Sequence, residues 1–431
     1  MLAISSIQPW RDCFDYRSAV YVEAFRPFFI FIPIYLVLSI VLWALVWSGF
    51  WQTAIFENIL VWHIYEMLFG IGSAGMAGFI LTAIPEFITG TKPVVGKKLY
   101  YLFLFWLGCR FAFWMIDWLG VTFVALVNLL FTCVVIYFIA QPIISDFNRR
   151  HVSLLLSFLS IVGVQVLFYL SLTDWLDIDF LAISQLSLGM VMILITLVLL
   201  RVNMGVVNRW LQQQQIVSAF VVRIPAYSIS VFLIALYSIV EYLLPFNSIL
   251  GWLGFAVGAS ILNLLNDFVI DDVNLFRSPH VVLLTIIFVL MACGYFFMGY
   301  DHLSHQLQAV NHFRHFLTTG VFGLSFFVIM SIVTTLHTGR PLAINSGTIL
   351  GALCILVATM MRVGIAWWPE LSANLYFYSA LIWGAAFIIY LLTFFNFLTE
   401  PKLTEFKLSE SMLTESMLTE SKVTHPRRRN D

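Results

Sequence analysis

Apolar residues run along this chain in stretches of roughly 20, the length a helix needs to cross the hydrocarbon core of a bilayer. They fall near residues 27–50, 58–84, 98–116, 119–141, 152–173, 180–200, 220–244, 247–266, 280–300, 314–336, 343–367 and 372–398. The connections between them are short and polar. The pattern predicts an all-α polytopic membrane bundle of about twelve transmembrane helices, with consecutive helices antiparallel. Residues 1–26 read as an N-terminal segment, 27–398 as the transmembrane domain and 399–431 as a low-complexity tail. That tail repeats Leu-Thr-Glu-Ser at 413–416 and 418–421 and ends in Arg427, Arg428 and Arg429. Such composition predicts disorder.

Lys and Arg alternate between the two sides. One set of loops holds Arg11, Arg17 and Arg26; Lys92, Lys97 and Lys98; Arg149 and Arg150; Arg201 and Arg209; Arg277; Arg340; and the basic tail. The opposite loops hold acids such as Asp174, Asp177 and Asp179, with Arg314 as the exception. Positive charge marks the cytoplasmic side, so the expectation is both termini cytoplasmic and an even number of spans.

Composition agrees. The chain is 61% hydrophobic and 10% charged, against about 25% charged in soluble domains. Lipid is therefore the expected solvent and partner. A net charge of −1 argues against a nucleic-acid partner. The five cysteines are scattered and form no C-x-x-C pair, which excludes a thiol zinc site and a C-x-x-C-H haem attachment. Residues 1–26 are polar with both charge signs and do not read as a signal peptide. There is no G-x-x-x-x-G-K-[ST] to support ATP-driven transport.

Ionisable groups within apolar runs are costly and mark function by default. Here they include His63, Glu66, Arg110, Arg223, Arg362, His312 and His315. His63 and Glu66 are three apart, so the spacing predicts a shared helix face; the plainer alternative is a buried structural hydrogen bond. Gly70, Gly72, Ala74, Gly75, Ala77 and Gly78 follow, a stripe that admits another helix or a flat macrocycle. On the same side, Asp301, His302, His305, His312 and His315 surround the entry to the tenth helix. Five of the nine histidines thus collect at one depth. Neutral imidazole is the commonest metal ligand, so His302, His305 and His312 are candidate metal ligands; a wet, histidine-rich loop is the alternative. His337 closes the tenth helix before Gly339 and would suit the helix dipole. Arg110, Arg223 and Arg362 are candidate partners for Glu66 or for anionic groups of a cofactor.

Several motifs together resemble the NnrS family of haem- and copper-containing membrane proteins, linked to nitric oxide resistance and denitrification. They are Phe25-Arg26-Pro27-Phe28-Phe29; Trp62-His63-Ile64-Tyr65-Glu66-Met67-Leu68-Phe69-Gly70; the run Ala77 to Pro85; His315, Gly320, Gly323 and Met330; His337-Thr338-Gly339-Arg340-Pro341-Leu342; and Arg362. The resemblance implies a non-covalent b-type haem, with copper as a second metal, in a bacterial inner membrane. It implies cofactor-binding roles for His63, Tyr65, His315, His337 and Arg362, and a catalytic role for Glu66. Two departures stand out. Tyr65 takes the place of the second histidine in W-H-x-H-E-M-L-F-G; a phenol can ligate iron but changes its potential. The segment G-R-x-x-P-x-F-T survives only as Arg201, with Leu200 in place of its glycine.

The leading expectation is therefore a protein that binds or detoxifies nitric oxide near the outer membrane face, drawing on an unidentified electron donor. Scavenger, sensor and reductase fit the same residues, so enzyme status stays open. The alternative from another class is a proton-coupled secondary transporter using Glu66, with a metal as one candidate cargo. A haem-handling scaffold ranks third.

Overall fold

The computed structural model describes residues 8–51, 58–147, 151–173, 175–271, 273–304 and 309–403. The repeats and arginines of the tail, Asp174 and His305 lie outside the described residues. Twelve helices follow the apolar runs in order. They are α1 (Phe25–Trp47), α2 (Ile59–Phe87), α3 (Gly96–Trp114), α4 (Val121–Ser145), α5 (Val152–Leu170), α6 (Phe180–Gln213), α7 (Ile224–Leu243), α8 (Ile249–Leu264), α9 (Pro279–Leu303), α10 (Val310–His337), α11 (Ser346–Gly364) and α12 (Ser372–Thr399). Among the described residues there is no β-strand.

Eleven of the described helices are long and apolar enough to cross a membrane, and the chain is a multi-pass membrane protein. The expectation of about twelve differs from that number through α3. This helix is 19 residues long but carries Lys97, Lys98 and Arg110.

Helix starts follow side-chain caps. Asn58 accepts from the amides of Leu60 and Val61 at the head of α2, Asp179 from Leu181 at α6, and Asn345 from Thr348 at α11. Each satisfies donors that a helix N-terminus leaves open. Helix α6 runs 13 residues past the apolar stretch that ended at residue 200. Its polar extension is anchored by Asn208, whose side chain exchanges two hydrogen bonds with the backbone of Phe220 at 3.0 and 2.8 Å.

The last helix packs back on the first, and α6 touches the middle of both α2 and α10. In each of those two helices the α winding gives way to a π segment, Glu66–Ile71 in α2 and Phe316–Phe322 in α10. Passing from i→i+4 to i→i+5 bonding leaves a carbonyl without its usual partner. In each segment a buried tryptophan donates to a backbone carbonyl. Trp106 Nε1 donates to Gly70 O at 2.9 Å, and Trp383 Nε1 donates to Thr319 O at 3.0 Å.

Two of the motifs converge at the other end of the bundle. Arg26 is buried and donates to Leu398 O at 3.3 Å and Glu400 O at 2.6 Å, which satisfies carbonyls at the end of α12. Arg340 pairs with Glu400 at 2.9 Å and lies 3.8 Å from the Phe397 ring. Gly339 has φ +78°, the left-handed conformation that ends α10. These contacts tie α1, α10 and α12 together.

Candidate functional site

His63 and His315 come from helices far apart in sequence, yet they line one cavity of about 380 Å³ between α1, α2, α6, α10, α11 and α12. Both sit within the first two turns of their helix and just ahead of its π segment. Arg314 and Arg362 also line the cavity; Trp43, Trp47, Met67, Phe322 and Trp383 supply much of its apolar wall.

The hydrogen bonds decide what each imidazole can offer. His315 Nδ1 lies 2.7 Å from Asn311 O. A carbonyl only accepts, so Nδ1 carries the proton and the lone pair is on Nε2. This is the arrangement of a metal-binding histidine oriented by a backbone carbonyl. His63 stacks on Trp43 with ring centroids 3.9 Å apart and planes 10° from parallel. Its Nδ1 is buried without a hydrogen-bond partner among the described residues. The Thr318 hydroxyl, also on the cavity wall, is in the same state. Buried polar atoms normally have partners, so these two fit a ligand in the cavity.

His312 has the opposite tautomer. Its Nδ1 lies 2.9 Å from Arg362 Nη1. A guanidinium only donates, so His312 accepts on Nδ1 and carries its own proton on Nε2. It therefore acts as a partner to Arg362, which also stacks 4.4 Å from the Tyr376 ring. His302, expected as a metal ligand, is buried at the end of α9 with neither ring nitrogen hydrogen-bonded among the described residues, and it does not line the cavity. His305 lies outside the described residues.

Glu66 and Tyr65 also face elsewhere. Three residues place Glu66 roughly 60° around the helix from His63, and the winding changes at Glu66 itself. His63 turns to the cavity, while Glu66 accepts from Arg110 Nη1 at 2.6 Å, fully buried. Arg110 Nη2 donates to Asn128 on α4, and Tyr35 of α1 lies beside the same carboxylate. Gly70 is required here: a Cβ at that position would overlap the Glu66 carboxylate and the Arg110 guanidinium. Tyr65 is buried against Phe113 at 3.8 Å between ring centroids. Its hydroxyl meets Tyr169 at 2.6 Å and Gln165 Nε2 at 2.8 Å. The position that departs from the W-H-x-H-E-M-L-F-G pattern thus belongs to a tyrosine–glutamine network between α2 and α5.

The small-residue stripe on α2 is largely spent on close packing. Phe326 occupies the space over Gly75, and Phe28 and Phe29 lie over Gly78. His337 is at the far end of α10, roughly 33 Å from His315 at 1.5 Å per residue. Its Nδ1 lies 3.4 Å from Glu86. The remaining expected cation, Arg223, pairs with Asp267 and donates to Asn263 O.

Sequence reasoning missed Glu241. It forms a two-pronged pair with Arg314, with Nη1–Oε2 at 3.1 Å and Nη2–Oε1 at 2.9 Å. Arg314 was visible only as the odd cation among acidic loops, and that oddness was the available signal.

Comparison with known proteins places these motifs in one family. No curated protein matches the chain. A family model described as NnrS protein matches residues 19–402, which takes in the cavity, both π segments and the clasp around Arg26. The chain belongs to the NnrS family.

Proposed function

We propose that this is a haem-binding membrane protein of the nitric oxide response, and that it binds nitric oxide at the cavity between His63 and His315. The observation that carries the reading is the pairing of these two imidazoles across one cavity, with the His315 lone pair set on Nε2 by Asn311. The residues present fit a haem. Two nitrogen donors face a mainly apolar, aromatic lining, and one guanidinium group, Arg362, is available to an anionic propionate, Arg314 being paired with Glu241. His315 and His63 would hold the iron, and Arg362 a propionate. When bound, haem supplies an iron centre that takes up a diatomic ligand and passes electrons. The protein's own contribution is orientation of the imidazoles and exclusion of water by Trp43, Trp47 and Trp383.

Copper, the second metal that the family resemblance implies, is assigned no residues in this reading. Among the described residues no three His, Cys, Asp or Glu side chains group as a metal-ion cage. The basic ends of the helices suggest that the cavity lies toward the outer face of a bacterial inner membrane, with the termini cytoplasmic. An electron donor would then be a separate protein. Proton-coupled transport finds less support, since Glu66 is neutralised by Arg110 away from the cavity.

The test is the absorption spectrum of detergent-purified protein with and without nitric oxide. A Soret band that shifts on nitric oxide addition, and is lost in His315→Ala, supports the reading. Colourless protein from haem-sufficient cells contradicts it.

A further inference from the structure

Below the histidine cavity lies a second, smaller one of about 80 Å³. It is walled by α1, α2, α5, α6 and α10 and shares two residues with the larger cavity, Leu68 and Phe322. These two side chains are therefore the partition between the chambers. Ser325 is its one polar lining side chain among the described residues, and that hydroxyl has no hydrogen-bond partner. The far rim is formed by Gly75, Met76 and Phe79 of α2 and by Phe326 and Ile329 of α10, which are only half-buried. The chamber thus reaches from the bundle's apolar flank to the wall of the histidine cavity.

An apolar cavity with a single weak polar group holds no stable water and instead takes small apolar guests such as xenon. A charged or strongly hydrated ligand would lose its water shell there without compensation. Leu68 and Phe322 stand on the two π segments or beside them, and rotamer changes of such side chains would open the partition. We propose that this chamber is a lateral portal through which a small, uncharged diatomic gas passes from the bilayer to the histidine cavity. The identity of the gas rests on the functional reading above; the existence of the portal does not.

Gly72 gives the test. It is buried, helical and lines the chamber, and a Cβ added there would meet nothing within 4 Å. A larger side chain can therefore grow into the void without displacing backbone. Crystals of the full-length protein pressurised with xenon should show a xenon atom beside Gly72 and Ile195, and Gly72→Phe should abolish it. Ser325→Leu, entering from the opposite wall, should do the same and covers failure of the first variant to fold. In haem-loaded protein in nanodiscs, both variants should slow carbon monoxide rebinding after flash photolysis several-fold, with the Soret position unchanged. Wild-type crystals without xenon in the chamber, or rebinding as fast in both variants as in wild type, would overturn the portal. Colourless protein would defeat the haem reading alone, and the xenon result would still decide the chamber.

Discussion

His315 donates its Nδ1–H to the Asn311 carbonyl at 2.7 Å, while three residues earlier His312 accepts at Nδ1 from Arg362 at 2.9 Å. Two neighbouring histidines are thereby held in opposite tautomers. One presents a lone pair on Nε2, and the other has used its lone pair on a guanidinium. Histidine count is a poor guide to ligand count, because the second partner of each ring determines which can bind a metal.

The first prediction separates those two rings. His315→Ala should remove most of the haem absorbance, whereas His312→Ala should retain the Soret band with weaker cofactor retention. Haem content per protein, from pyridine haemochrome absorbance, checks this. Equal loss in both variants would mean that His312 is a ligand too.

Arg362 is predicted to hold an anionic edge of the cofactor. Arg362→Ala should cost about 1.5–3 kcal/mol of cofactor affinity, the range for hydrogen bonds to charged groups, without changing which residues hold the iron. Haem transfer to an acceptor protein measures the affinity, and electron paramagnetic resonance reports the ligands. An altered ligand signature in this variant would contradict the assignment.

Glu66 and Arg110 form a buried ion pair, so removing either partner leaves a charge stranded among apolar helices. Glu66→Ala or Arg110→Ala should each destabilise the protein by about 3–5 kcal/mol, whereas Glu66→Leu combined with Arg110→Met should recover much of that loss. Thermal unfolding in detergent, read as a double-mutant cycle, measures the coupling. Because Glu66 does not line the cavity, the folded double variant should keep its haem spectrum. A lost spectrum with stability intact would restore Glu66 to the site.

His337 should be separable from the cofactor. Its place beside Glu86, roughly 33 Å along α10 from His315, predicts that His337→Ala leaves the Soret band unmoved. Gly339→Val should instead destabilise by about 1–3 kcal/mol, through strain at its positive φ. A shifted Soret band in His337→Ala would place a second cofactor at that end.

Much of the architecture was legible in the sequence, because lipid makes a simple demand: long apolar runs must become helices that satisfy their own backbone. All twelve runs did so, within a few residues at most ends. The exception, α6, continues beyond residue 200 because hydropathy detects the lipid-facing part of a helix and not its polar extension. The gathering of His63 and His315 was also legible, as histidines at a common depth. Other relationships were not. The facing of Glu66 away from His63 depends on the start of a π segment, which periodicity does not show. The tautomers of His312 and His315 depend on Arg362 and Asn311. One of these partners is 50 residues away from its histidine, beyond any local pattern. The Glu241–Arg314 pair likewise spans 73 positions and joins residues that look ordinary in isolation.

The most direct test of the central claim is the reduced and oxidised absorption spectrum of the purified full-length protein beside that of His63→Ala and His315→Ala, each matched for folding by circular dichroism. The account predicts a Soret band in the parent protein that shifts with nitric oxide and is lost or reshaped in both variants. A parent protein without a Soret band, or a band indifferent to both substitutions, would contradict it.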